Sequence, residues 1–405
     1  MHIKKNPTLY KFIYTALIFL ALGLMTSPTI MAGYHILIVV PALILFVRLR
    51  KTIKLNISSF FLLSLGIWGF ISAIYNLDHL VKPSKSFQEL KYYFFGVLCI
   101  YPLVYFFSFG HKKHWKTLLQ IFYSTVIAAF FVGILKAWGQ IDIVHFKLGH
   151  GEFTDRSGGF YNYMRYGYAS ALILILSLGL NYIRRNLQEI LPGKKLFFIG
   201  TALSAGAIIT SQTRGALLGV LASLPFLTFK FERKVSKILL AVGGVFFVIV
   251  LFFTITQTSQ YRFLNVYQGS NSVRLSQWQT ALKVIEEKPL LGLGPDQFSY
   301  NAIPYKLKYD IPFEYYGSHA HNILLEHGAA YGIVGLIFLI GFFMTWFLEL
   351  VRLKDDISWI FCSYIIGYFC SGQVELLFDV VNSHLLFFMY SLSQVYIHTK
   401  KKASL

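Results

Sequence analysis

Apolar residues recur along this 405-residue chain in continuous runs, each of roughly 17 to 25 positions and so able to cross a hydrocarbon core of about 30 Å as a helix. The runs do not alternate apolar with polar positions, which argues against a β-barrel. Candidate spans start near Tyr10, Ala32, Ile57, Tyr92, Thr117, Tyr166, Leu196, Ala216, Ile238, Asn322, Ile357 and Ser383. The pattern predicts an all-α integral membrane protein of about 12 transmembrane helices, organised as a single polytopic transmembrane domain over residues 1–405. The first run follows Lys4 and Lys5 and is succeeded almost at once by a second. It therefore reads as a retained span, not a cleaved leader.

The polar stretches between the runs set the orientation. With both termini in the cytoplasm, the short loops on that side take Lys4, Lys5 and Lys11, the RLRKTIK run from Arg48, the KKHWK run from Lys112, Arg184, Arg185, Lys194 and Lys195, the KFERKVSK run from Lys230, Arg352 and Lys354, and Lys400 to Lys402. These make up most of the 37 basic residues, as the positive-inside rule requires. Two longer segments, residues 139–165 and 256–321, dominate the other face. The second is a large loop inserted between spans 9 and 10, of about 65 residues and too long for an idle connection. In it NSVRLSQWQTALKVIEEKP predicts an amphipathic helix capped by Asn271 or Ser272, with Leu275, Trp278, Leu282 and Ile285 on one face and Pro289 beyond its end. Such a helix lies on a membrane surface or caps a cavity. The LGLGPDQF run that follows is turn chemistry.

Composition agrees with this picture: 56% of residues are hydrophobic, 14% are charged, and the mean hydropathy is +0.57. A water-soluble domain is excluded, and membrane lipids are the solvent. A formal charge of +19 would suggest nucleic acid in a soluble chain. Here it is orientation information, and no nucleic-acid partner is implied. Cys99, Cys362 and Cys370 are odd in number and lie inside apolar runs, so they read as small core residues and not as a disulfide framework. The pattern fixes no oligomeric state.

Four polar features stand out on the extracytoplasmic side. Arg214, in SQTRGALLG, falls between two apolar segments, where a guanidinium faces protein, water or an anion, or snorkels to the interface. Arg274 opens the loop helix and taken alone reads equally as a solvated helix charge. In SHAHNILLEHGAAYGIVGL, His319 and His321 lie at the mouth of a span, Asn322 follows, and Gly332 and Gly335 permit close helix approach below. The His-x-His spacing raises zinc, but no third ligand follows at convincing spacing, which leaves structural, catalytic or substrate-binding histidines. In DRSGGFYNYMRYGY, Arg156, Arg165 and four tyrosines suit a sugar and phosphate surface, although aromatic belts explain the tyrosines as well. One topology brings Arg156, Arg165, Arg214, Arg274, His319 and His321 to one face. Arginines without an acidic metal motif suggest that guanidinium groups neutralise a diphosphate where other enzymes use a divalent ion.

Over roughly residues 200–340 these motifs resemble the O-antigen ligase and polymerase superfamily, bacterial inner-membrane enzymes that use undecaprenyl-diphosphate-linked glycans. SQTRGALL resembles its arginine motif, and VRLSQWQTALKVIEEKPLLGLG its loop segment with a second arginine. His321 and Asn322, followed by nine residues and then Gly332 and Gly335, resemble the ligase histidine motif. Leu336 and Ile337 stand where some ligases carry paired threonines, a departure that bears on ligase against polymerase. The resemblance implies a helical bundle related to C-type glycosyltransferases, with an active site facing the periplasm.

It further implies an O-antigen ligase: polysaccharide passes from undecaprenyl diphosphate to a hydroxyl of lipid A-core without a metal or other cofactor. Arg214 and Arg274 would match diphosphate-binding arginines, an effect worth about 3 to 4 kcal/mol per well-placed donor. His321 would be the catalytic histidine, taking the acceptor proton for about 10² to 10⁴-fold in rate, or else a protonated phosphate ligand. Asn322 would orient His321, His319 would line the acceptor site, and Arg156 and Arg165 would bind substrate. Direct displacement inverts the anomeric centre. An O-antigen polymerase shares the donor but elongates another lipid-linked repeat. An anion transporter, from a different class, would need charged residues at mid-membrane depth and two matching halves.

Overall fold

The computed structural model describes residues 6–137, 157–228, 270–312 and 319–403, and among these the regular structure is helical, without a strand. In chain order the α-helices are α1 (Pro7–Gly23), α2 (Pro28–Leu49), α3 (Ile57–Tyr75), α4 (Pro83–Leu98), α5 (Ile100–Phe109), α6 (Lys112–Ala137) and α7 (Tyr163–Tyr182). They continue with α8 (Lys194–Ser211), α9 (Arg214–Thr228), α10 (Ser270–Glu287), α11 (Phe298–Lys308), α12 (Ile323–Val351), α13 (Asp356–Ser371) and α14 (Val380–Ala403). Each expected span start falls in or beside one of these helices except that near Ile238, which lies outside the described residues.

Among the described residues, six helical stretches are long and apolar enough to cross a membrane: α2, α3, the continuous run Pro83–Phe109 formed by α4 and α5, α6, α7 and α12. α1 and α9 are apolar but shorter. Local chemistry starts several of them. Asn6 accepts from the Leu9 N–H with Pro7 in the first turn, Ser27 accepts from Thr29 ahead of Pro28, and Asp355 accepts from Ser358.

The fourth span differs from its expected start at Tyr92, because its helix begins at Pro83. Ser86 in its first turns donates to the Pro295 carbonyl at 2.6 Å and accepts from Gln297 at 2.9 Å. A hydropathy reading stops at these polar residues. Here other parts of the protein, not lipid, satisfy them.

The loop helix α10 also differs in which face it buries. Ser276, Gln277, Thr280, Ala281 and Val284 turn inward, and α10 packs on α12, while Leu275 and Leu282 of the expected apolar face are about half exposed. Small side chains let two helices approach closely, and that gain outweighs hydrophobicity as a guide to the buried face.

α12 is broken. Gly332 has φ 70° and ψ −173°, so the helical ladder is interrupted inside a membrane-length helix. The turn after α10 satisfies the freed groups: Leu293 N–H donates to Ala329 O at 2.9 Å, Gly294 N–H to Ala330 O at 3.0 Å, and Ile333 N–H to Pro289 O at 2.7 Å. α3 closes the other side, where the Trp68 indole N–H donates to Tyr331 O at 2.9 Å and the Ser72 hydroxyl to Leu291 O at 2.5 Å. A Cβ at Gly332 would run into the Leu290 carbonyl. Sequence reading assigned this glycine to helix approach; its function is a positive φ at a helix break.

At the far end of the same helix, Glu349 accepts from the Ser58 N–H at 2.9 Å, the Ser58 hydroxyl at 2.6 Å and the Gln394 amide at 3.1 Å. One carboxylate thereby ties α3, α12 and α14 together at the α3 N-terminus, where negative charge is favoured. α3 packs along α12, α9 along α13, and α7 against α8, α9 and α13.

Gly332→Ala should cost at least about 2 kcal/mol, the sum expected of a left-handed non-glycine residue and a backbone clash. Thermal unfolding of purified protein would register it as a lowered midpoint. An unchanged midpoint would show that α12 closes over the break without strain.

Candidate active site

The connection from α13 to α14, Gly372–Asp379, is where the expected site residues meet. The Ile323 N–H at the start of α12 donates to the Gly372 carbonyl at 2.6 Å. Asn322 caps α12 by accepting from the Leu324 and Leu325 N–H groups, and its amide donates to the Gln373 carbonyl at 3.1 Å. Asn322 therefore positions the helix start and the connection, and it reaches His321 through the backbone.

His321 has φ 50°, in the left-handed region that histidine tolerates better than most residues. That backbone turn aims its ring at Glu375, and the Nδ1–Oε1 distance is 2.8 Å. The two side chains are only 16% and 8% exposed, so the bond is shielded from competing water. Glu375 Oε1 also accepts from the Leu376 N–H, while Oε2 is buried without a partner.

Arg274 reaches the same connection from α10, where its Nε donates to the Val374 carbonyl at 3.1 Å. The hydrogen bond fixes one side of the guanidinium fork against the connection. Arg214 opens α9 after Gln212, which turns the chain with φ 52° between α8 and α9. The next residue, Gly215, lies against Val374 and the Tyr168 hydroxyl, and its carbonyl accepts from Ser371 at 3.1 Å. Arg274, His321, Asn322 and the helix start carrying Arg214 thus converge on four consecutive residues, Gly372–Glu375.

His319 lies apart from this centre. Its Nδ1 is 3.6 Å from Glu326 Oε1, and the other Glu326 oxygen accepts from the Ala320 N–H at 2.6 Å. Burial disfavours the imidazolium, but Glu326, with Asp296 and Glu375 also nearby, outweighs it and raises the His319 pKa to about 9. The two histidines of the His-x-His motif therefore engage different carboxylates. Asp296, in the turn after α10, is itself raised, first by burial.

Arg165 lies in the first turn of α7, where its N–H is held by Asn162 at 2.9 Å. Its charge acts on Asp379, a carboxyl raised by burial and partly offset by the hydrogen bonds of Asn382 and by Arg165. Arg156 lies outside the described residues. The tyrosines expected to form a stacking surface are mostly core: Tyr161, Tyr166 and Tyr168 are 5%, 1% and 2% exposed, and Tyr161 donates to Gly23 O at 2.7 Å. Of the four tyrosines Tyr163 is partly accessible, as is Arg165.

Sequence reasoning missed Glu375 and Glu326. The signal was present, since an acidic residue in or beside an apolar span is costly unless it is paired or used. Glu326 lies inside the histidine motif but was passed over for its histidines, and Glu375 is far in sequence from His321.

The folded-state pKa of His319 lies above the unfolded histidine value of about 6.5. Its ion pair with Glu326 should contribute fully below that value and be lost as pH rises through about 9. The melting-temperature gap between wild type and His319→Ala should therefore be widest near pH 6 and close by about pH 10. A gap that is constant with pH would remove the ion pair from the account.

Residues 199–340 match the family described as O-Antigen ligase. No curated protein matches the chain. The matched stretch runs from α8 through the break in α12 and contains Arg214, Arg274, His319, His321, Asn322 and both glycines, Gly332 and Gly335. Residues 199–340 are thus similar to the O-antigen ligase family, a match consistent with membership of the O-antigen ligase and polymerase superfamily.

Proposed function

We propose that this protein is an O-antigen ligase, transferring glycan from undecaprenyl diphosphate to a hydroxyl of lipid A-core at the periplasmic face of the bacterial inner membrane, with both termini in the cytoplasm. The family covers ligases and polymerases alike. The observation that carries the reading is the meeting of Arg274, His321 and the Arg214 helix start on Gly372–Glu375.

In this reading the donor diphosphate lies against Arg214 and Arg274. Their guanidinium groups neutralise charge as the anomeric C–O bond breaks, a contribution of about 3 to 4 kcal/mol for each well-placed donor. Glu375 accepts the Nδ1 proton of His321. In that tautomer Nε2 is the basic nitrogen, the atom that takes the proton of the attacking acceptor hydroxyl. The pairing favours His321 as a base over His321 as a phosphate ligand, because a ring held as the Nδ1–H tautomer presents a lone pair on its other side. A single displacement inverts the anomeric centre, and a retained product configuration would exclude it.

Purified protein given lipid-linked O-antigen and lipid A-core in detergent with EDTA should form core-linked glycan. His321→Ala should lower the rate by about 10² to 10⁴-fold, and Arg274→Ala by about 10² to 10³-fold. Longer chains on undecaprenyl diphosphate in place of core-linked product would make the protein a polymerase. Absence of any transfer from folded protein and verified donor would reject the reading.

A further inference from the structure

A second feature is built from residues other than those around Glu375 and is independent of the transfer chemistry. An apolar cavity of about 430 Å³ runs between α1, α6, α7, α13 and α14. Its wall is hydrocarbon almost throughout, formed by such residues as Leu17, Ala21, Leu118, Leu180, Phe361 and Leu392. Water entering it would find almost no hydrogen-bond partners, so the filling that suits it is itself apolar. Along α14 the lining extends from Leu385 to Thr399, about 21 Å at about 1.5 Å per residue. A single acyl chain fills that length; a polyprenyl chain is several times longer.

Charge identifies the head of the occupant. One end of the cavity is formed by Trp115, Ile183, Leu187, Ile357 and Thr399. These residues lie at the start of α6, the end of α7, the start of α13 and the end of α14, the opposite ends of α13 and α14 from Gly372–Asp379. Lys113, Lys116, Arg184 and Arg185 lie on the same turns. Of the nearby carboxylates, Glu189 pairs with Lys112 and Asp355 with Lys400 at 3.4 Å, while Asp356 lies in the first turn of α13. Arg184 donates through Nη2 to the Pro192 carbonyl at 2.9 Å and lies over the Phe197 ring, yet its buried Nη1 has no partner.

We infer that this cavity is a structural lipid site, holding one acyl chain of an anionic phospholipid whose phosphate is bound by Lys116, Arg184 and Arg185. A phosphate at that end neutralises the basic rim. The donor polyprenyl lipid does not compete for it, because its diphosphate belongs beside Arg274 at the other end of the same helices.

Thermal unfolding of the delipidated full-length protein in detergent tests this, with phosphatidylglycerol, phosphatidylcholine or undecaprenyl phosphate added in turn. Phosphatidylglycerol should raise the midpoint by several degrees in a saturable manner, with the other two much weaker. In the double variant Lys116→Gln, Arg185→Gln, half-maximal stabilisation should need about 30-fold more phosphatidylglycerol, the value for two basic groups worth about 1 kcal/mol each. Ala21→Trp, which fills the cavity and leaves the rim intact, should abolish the response. Equal stabilisation by phosphatidylcholine, an unshifted double variant, or a response to undecaprenyl phosphate alone would overturn the proposal.

Discussion

A backbone group inside a bilayer has no water to bond with, and the break at Gly332 exists only because the Pro289–Gly294 turn supplies what the helix gives up. Each unmet carbonyl or N–H in hydrocarbon costs several kcal/mol. The three hydrogen bonds from that turn, with those that Trp68 and Ser72 on α3 donate to the Tyr331 and Ala330 carbonyls, remove the penalty. The arrangement fixes more than α12. It sets the C-terminal end of α10, and with it the direction in which Arg274 projects. It also fixes the part of α12 before the break, about two and a half turns, as a short rigid unit carrying Asn322 at its tip, with His321 immediately before it. A straight α12 would leave the loop without a seat, and the two motifs would lose their common frame.

The second organising element is the connection between α13 and α14. It offers carbonyls to Arg274, Asn322 and the Ile323 N–H, and a carboxylate to His321. Such a segment is neither apolar enough to be a span nor long enough to be a domain, and its polarity is balanced by partners from three other parts of the chain. Low exposure of His321 and Glu375 strengthens their bond, and the unpartnered Glu375 oxygen shows that this polar cluster is not closed on itself.

Hydropathy located the helices well, because burial in lipid or protein imposes the same apolar requirement over a length set by the bilayer. It failed where protein replaced lipid as solvent. The polar first turns of α4 are covered by Pro295 and Gln297, and α10 buries Ser276, Gln277 and Thr280 in place of its leucines. The motifs singled out Arg214, Arg274, His321 and Asn322, which the fold brings to one connection, since charges and imidazoles stand out against apolar surroundings. Glu375 was not legible, because its meaning depends on a partner 54 positions away. The buried tyrosines of α7 misled for the converse reason: one residue type serves a stacking surface and a packed core equally well, and only the neighbours decide.

The position of the Pro289–Gly294 turn ahead of α12 in the chain has a consequence for biogenesis. A broken span leaving the insertion machinery is a poor substrate for the bilayer until its gap is sealed, and most of the bonds that seal this one come from residues synthesised just before it. The ribosome thus delivers the patch before the tear. Vectorial synthesis makes the partner local in time as well as in space, so α12 need not search for a distant helix to shelter its exposed carbonyls. A circular permutation that moved residues 289–294 behind α12 would preserve every contact of the finished protein and still reverse that order of assembly.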